Sequence, residues 1–354
     1  MKYSIIVPVF NRPDEVDELL ESLCSQTLKD FEVVIVEDGS QIPCKDVCDK
    51  YANILDLHYY FKPNSGPGQS RNYGVERAQG EYVIIVDSDA VTPPSFMQAI
   101  DDELRRQPSD AWGGPDAAHE SFTNIQKAIS YAMTSFFTTG GIRGGKKQLD
   151  KFYPRSFNMG VRREAYLQLG GFSPLRFSKM SLYGEDIDFS IRIYKEKYTC
   201  RLFPEAWLWH KRRTDFRKFW RQVYNSGIAR INLWKKYPEA LKLVHALPSV
   251  FTIGVAFLLL LFVLGVGLYI EGEWLDANGL RPTDNMHQGI GFVFCTLALL
   301  PLLLYSLLIF VDSSIRNRSL KVGLISIPAV FVQLIGYGIG FIESWWKNCV
   351  IKHG

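Results

Sequence analysis

Residues 82–94 read YVIIVDSDAVTPP, with four apolar β-formers running into Asp87 and Asp89. A carboxylate at the end of a buried strand is costly unless something occupies it. In an extended strand alternate side chains share a face, which predicts Asp87 and Asp89 pointing the same way, about 6.6 Å apart along the chain. Two such acids repel unless a cation or hydrogen-bond donors lie between them. An all-oxygen environment favours Mg2+ or Mn2+, commonly held by one or two carboxylates together with substrate phosphates. The pair therefore points to a metal-bound diphosphate, against the plainer reading of acids on an ordinary turn. A second acidic pair, Glu185-Asp186 of GEDIDFS, opens a predicted helix. Acids are favoured there by the helix dipole alone, which is its plainer reading.

The elements that must position these acids alternate in type. Tyr3–Val9, Phe31–Val36, Leu57–Phe61 and Tyr82–Val86 read as strands. Between them, Val16, Leu19, Leu20 and Leu23 recur at helical spacing, and Lys45–Tyr51 and Gln69–Ala78 also read as helices. This alternation predicts right-handed βαβ units and a mostly parallel sheet covered on both faces. Ligands of such sheets lie beyond the carboxyl ends of the strands. Asn11-Arg12, Glu37–Ser40 and Asp87–Asp89 all fall at such ends. Further on, Pro94–Gln107, Phe122–Phe137, Arg162–Leu169 and a stretch from Gly184 to Lys197 read as helices, and Thr199–Trp209 as a strand. The loop TTGGIRGGKKQ, residues 138–148, is equally a solvated loop or an anion-contacting lid. Phe122, Ile125, Ile129 and Met133 share a helical face that is expected to pack on the sheet, with contact to an acceptor as the alternative.

SIIVPVFNR, VVIVEDGS, NSGPGQSRNYG, YVIIVDSDA and GEDIDFSIRIYKEKY occur in this order, and from residue 3 to about 215 the chain resembles family 2 glycosyltransferases. The resemblance implies a GT-A fold (Rossmann-like, mostly parallel sheet), a nucleotide-sugar donor and inversion at the anomeric carbon. It places Pro8 and Asp38 at the nucleotide base, Arg71 at the anionic nucleotide, Asp87 at ribose or metal, and Asp89 on the metal. It makes Asp186 the general base and Glu185 a supporting or acceptor-binding acid, and it brings His210 to the metal or diphosphate. Each has a plainer reading: Asp38 as a turn former before glycine, Arg71 as a surface cation, His210 as an ordinary residue at a strand end. One departure is informative. Gln222 is followed by Val-Tyr-Asn-Ser, so the Q-x-x-R-W motif of the family's polymer synthases is absent, which argues against a processive enzyme.

Beyond residue 246 the composition changes. Stretches at about 247–270, 290–311 and 322–342 contain no Asp, Glu, Lys or Arg, and each has the roughly 20 apolar residues of a transmembrane helix. From Lys211 to Lys242 the chain holds ten Lys or Arg against two acids, interleaved with Phe216, Phe219, Trp220, Trp234 and Tyr237. Residues 216–245 thus read as amphipathic helices in the headgroup region. The loop after the first apolar stretch is acidic, with Glu271, Glu273, Asp276 and Asp284 against Arg281, and the next carries Arg316, Arg318 and Lys321. The positive-inside rule then puts the large domain in the cytoplasm, although Lys347 and Lys352 at the tail oppose this. MKYSIIVPVF reads as a strand rather than a secretory signal. The six cysteines show no C-x-x-C spacing and are expected to be reduced.

The expected organisation is a catalytic domain over 1–215, interface helices over 216–245 and three transmembrane helices within 246–354. The expected activity moves a sugar from a UDP- or GDP-linked donor to a lipid or lipid-linked saccharide at the cytoplasmic face of a bacterial inner membrane, with no nucleic-acid partner. A polyprenyl-phosphate sugar synthase is the nearest alternative, and a membrane scaffold with a degenerate transferase domain is the non-enzymatic one.

Overall fold

The computed structural model describes residues 1–117, 119, 122–139, 152–173, 184–278 and 286–350, so nearly all of the 138–148 loop lies outside the described residues. The contacts divide the chain into two units: Met1–Phe122 with Gly141–Arg212, and Thr123–Gly140 with Arg213–Gly354.

In the first unit, β1 (Tyr3–Val9), α1 (Pro13–Cys24), β2 (Phe31–Asp38), α2 (Lys45–Tyr51), β3 (Asp56–Lys62), α3 (Pro67–Arg77) and β4 (Tyr82–Val86) alternate as expected. Their side chains explain why. Ile5 and Val7 of β1, Val33 and Ile35 of β2, and Ile84 and Val86 of β4 enter one core with Leu19, Leu20 and Leu23 of α1. The intervening Ile6, Val34, Val36, Val83 and Ile85 enter a second core with Val75 of α3. Strands apolar on both faces can be satisfied only by helices on both faces, which fixes the layered arrangement.

The chain continues through β5 (Ala90–Val91), α4 (Phe96–Arg106), β6 (Ala111–Gly113) and β7 (Asp116–Ala117); α5 (Asn124–Thr134) and α6 (Phe136–Thr139) belong to the second unit. It returns with β8 (Asn158–Arg162), α7 (Arg163–Gln168), α8 (Glu185–Lys195), β9 (Cys200–Leu202) and β10 (Leu208–His210). The main sheet has the order β3-β2-β1-β4-β8-β6-β9. Its first four strands are parallel, while β8 runs antiparallel to both β4 and β6. The single strand expected over Thr199–Trp209 is two: β9 joins the main sheet, and β10 joins β5 and β7 in a small second sheet. Pro204 lies between them and has no N–H to donate to a continuous ladder.

The second unit holds α5, α6, α9 (Phe216–Lys236), α10 (Leu247–Ala277), α11 (Met286–Asn317) and α12 (Leu320–Trp345). Three of its helices are long and apolar enough to cross a membrane. Ile129 and Met133 of α5 are buried with Phe219, Val223, Val330 and Leu334. Ile125, Ile129 and Met133 of the expected face therefore pack on the C-terminal helices, while Phe122 belongs to the first unit. Residues 123–140 accordingly leave the domain expected over 1–215. A helical stripe records that a face is buried, not which partner covers it.

Candidate functional site

β1 has β2 on one side and β4 on the other, so the chain's winding reverses between β1 and β4. A crevice opens at the carboxyl ends of strands at such a switch point. The residues that follow the two strands meet across it: the Arg12 guanidinium donates to Asp89 Oδ2. The sequence marks Arg12 only as part of a polar strand end, and the structure makes it a partner of the acid pair.

Asp87 and Asp89 do not lie on an extended strand. β4 stops at Val86, and the Ala90 amide donates to the Asp87 carbonyl at 3.1 Å, closing a turn. The two carboxylates converge through that turn and not through strand alternation. The small sheet supplies the third member, because β10 pairs with β5 so that His210 lies opposite Ala90. His210 Nε2 comes 3.1 Å from Asp89 Oδ1 and 3.8 Å from Asp87 Oδ2. Its ring stacks on Phe157 at a centroid separation of 4.9 Å.

One ligand atom from each of Asp87, Asp89 and His210 lies within 4.8 Å of the others. Asp89 Oδ1 is buried and, among the described residues, faces only His210 Nε2, at 3.1 Å. Adjacent ligands on an octahedral ion with bonds near 2.1 Å are about 3 Å apart, which matches the Asp89–His210 separation. The three side chains therefore fit a divalent cation. Burial would raise the Asp89 carboxyl, but His210 and Arg12 outweigh it and hold the group well below the usual carboxylate range. Burial likewise disfavours the His210 imidazolium, yet Asp89 and Asp87 together raise its pKa.

Arg71 joins this cluster to the second pair of acids. Its Nη2 donates to Asp87 Oδ1 at 2.8 Å, and its guanidinium lies over the Phe172 ring. It is buried, not the surface cation of the plainer reading. Its positive charge also acts on Glu185 and Asp186. Asp186 opens α8, accepting from the Ile187 amide at 2.9 Å and from Arg155 Nε at 2.7 Å. Burial would raise its pKa, but Arg155 and that amide outweigh the effect and keep it ionised. Arg155 lies in FYPRSF, where neither periodicity nor motif marks it; only the fold brings it to Asp186.

Glu185 behaves oppositely. It is 5% exposed, and among the described residues Oε2 has no hydrogen-bond partner. Burial pushes its pKa up to about 7, with Arg71 pulling it down and Asp186 and Asp188 adding to the rise. The carboxyl rests on Gly68 in the first turn of α3, where any Cβ would overlap it.

Asp38 is a loop organiser. Its Oδ1 accepts from the Ser65 amide and its Oδ2 from the Gly66 amide, both at 2.9 Å, and Lys62 donates to it as well. The turn reading is thus realised at long range, across the NSGPG loop. Pro8 is half-buried near the end of β1, past the last β1–β4 pair, Ile6–Ile85. Asn11 follows it at φ 55°, and its Oδ1 accepts from the Gln41 and Ile42 amides at 2.7 and 3.0 Å. These bonds tie the loops after β1 and β2 together.

Residues 4–170 match the model of glycosyl transferase family 2. This stretch belongs to glycosyl transferase family 2. Over 110 residues the chain is 32% identical to a cholesterol galactosyltransferase of Borreliella burgdorferi, covering 31% of each protein. Over 93 residues it is 43% identical to the poly(ribitol-phosphate) beta-N-acetylglucosaminyltransferase TarS of Staphylococcus aureus, covering 25% of this chain and 16% of TarS. The chain thus spans less than a third of the length of either relative. A solved mannosyltransferase from Pyrobaculum calidifontis is similar in fold, with a TM-score of 0.52 at 16% identity, over 98% of this chain and 88% of that one. The fold of the first unit is GT-A, a mostly parallel sheet with helices on both faces.

Proposed function

We propose that this glycosyltransferase moves one sugar from a UDP- or GDP-linked donor to a hydroxyl of a lipid or lipid-linked acceptor, with inversion. The observation that carries the reading is the convergence of Asp87, Asp89 and His210 at the switch point, with Arg71 linking them to Glu185 and Asp186. Asp87, Asp89 and His210 would hold Mg2+ or Mn2+, the imidazole favouring Mn2+; the ion supplies charge neutralisation at the donor diphosphate. Arg71 and Arg12 add fixed positive charge beside it. Asp186, kept ionised and oriented by Arg155, accepts the acceptor hydroxyl's proton as that oxygen attacks the anomeric carbon. The bond to the diphosphate breaks on the opposite face, and the nucleoside diphosphate leaves with the bonding electrons.

An ionised base suits a hydroxyl acceptor better than an anionic polyprenyl phosphate, which needs no deprotonation. The likeness to a cholesterol galactosyltransferase supports a lipid acceptor. The apolar helices and the basic stretch before them support a membrane site facing the cytoplasm, in keeping with an inner-membrane enzyme. The test is nucleoside diphosphate release from UDP- and GDP-sugars by the purified full chain, with Mn2+, with Mg2+ and after chelation. Metal-dependent turnover that is lost in Asp89→Ala is expected. Asp186→Asn should still bind donor while transfer falls on the order of 10²–10⁴-fold. Failure to bind or turn over any nucleotide-sugar overturns the reading, and full activity of Asp186→Asn removes it as the base.

A further inference from the structure

The three long apolar helices are not equivalent. Of their apolar windows, 6% and 11% are buried in α10 and α11 but 44% in α12. α10 and α11 pair antiparallel along their length: Phe251 lies against Tyr305, Gly265 against Gly291, and Gly272 against Gln288. α12 does not continue this arrangement. Near its start Gly323 packs on Phe310 and Ser314 of α11, and further on Gly338 packs on Pro248 and Thr252 of α10. Because Phe251 pairs with Tyr305, those two contacts lie only about six residues, roughly 9 Å, apart along the hairpin. The stretch from Gly323 to Gly338, about 22 Å of helix at 1.5 Å per residue, therefore passes across one end of the hairpin.

The last part of α12 runs beside α9 in the same direction. Gly336 meets Trp220 and Val223, Gly340 meets the Tyr224 backbone, and Gly227 meets Tyr337 and Phe341. The Tyr224 hydroxyl donates to Glu343, and Lys235 Nζ donates to Asn348 at 2.6 Å. The two segments therefore share one depth. Yet α9 exposes Arg217, Lys218, Arg221, Lys235 and Lys236 near both of its ends. A helix so charged cannot lie across hydrocarbon, and what is packed along it cannot cross either. Trp220 of α9 and Trp345 and Trp346 at the end of α12 are exposed, the pattern of a headgroup boundary.

We infer that only α10 and α11 span the bilayer, and that α12 lies with α9 in the headgroup layer of one leaflet. The basic face of α9 meets anionic headgroups, and an apolar stripe of α12 that includes Leu320, Leu324 and Ile339 enters the acyl boundary. The end of the chain is then on the same side as α9. Lys347 and Lys352, which oppose the positive-inside rule in a three-span arrangement, obey it in this one.

The test uses two full-length variants, one with a protease-cleavable epitope inserted after Asn278, between α10 and α11, the other with it after Gly354. Both are examined in sealed membrane vesicles of one orientation, with detergent-opened vesicles as the control for cleavability. Opposite outcomes are expected: one epitope is cut and the other protected. If both are cut, or both protected, in sealed vesicles, α12 crosses or the hairpin does not, and the inference fails. The result is independent of catalytic activity.

Discussion

Glu185→Gln is expected to stabilise the protein above neutral pH while reducing the proposed sugar transfer. The carboxyl is buried against Gly68, with one oxygen unpaired among the described residues, and its pKa rises from 4.5 to about 7. At 1.36 kcal/mol per unit this corresponds to about 3 kcal/mol of destabilisation once the group is ionised in both folded and unfolded chains. The sign follows from proton counts. Below pH 4.5 both states are protonated and the residue has no effect. Between 4.5 and about 7 the folded state binds the extra proton, so stability falls as pH rises; above 7 the loss is constant. Gln cannot ionise and removes this pH dependence. Melting of the nucleotide-free full chain, followed by near-UV circular dichroism from pH 5 to 8.5, reads it directly. The variant should gain on the order of 10 °C over the natural chain at pH 8 and little at pH 5. Parallel pH profiles for the two proteins would refute the assignment of an unpaired buried carboxyl. Loss of transfer in a more stable variant would mark Glu185 as a group held at a cost in stability for its function.

Arg155→Ala leaves Asp186 without its ion-pair partner, so the base protonates more readily and the acid limb of the pH–rate profile moves to higher pH; Arg155→Lys should restore part of the shift. An unmoved limb in Arg155→Ala would show that Asp186 is not the titrating base. Gly68→Ala pushes a Cβ into the Glu185 carboxyl, a flexible side-chain end that can move aside. Stability should then change by less than about 1 kcal/mol, while transfer falls about tenfold or more through misplacement. Equal activity would show that the carboxyl's position is immaterial. Gly340→Leu meets the Tyr224 backbone, which cannot give, and should destabilise the second unit by about 1–3 kcal/mol, read as a lower melting temperature.

Short-range pattern was enough for the parallel half of the sheet. β1, α2 and β4 have the bounds expected of them, and the two strands are legible because each is a short continuous apolar run buried on both faces. The order of the acidic and glycine-rich motifs, and the three apolar stretches, were likewise legible along the chain. Asp87 and Asp89 were recognisable by type and by the strand before them, although a turn and not the pleat brings them together.

What the sequence could not determine is every relation between residues that are distant along it. His210 reaches Asp89 because β10 pairs with β5, and Arg155 reaches Asp186 because the fold places a patternless loop beside the start of α8. Burial of Glu185 without a partner raises its pKa, whereas an adjacent residue of the same chemistry stays ionised. The apolar stripe of α5 and the apolar length of α12 state only that these surfaces leave water. Whether helix, sheet or lipid receives them is settled by tertiary contacts: α5 on the C-terminal helices, α12 along the charged α9. Hydrophobic periodicity encodes a preference for burial without direction, and direction is supplied by packing.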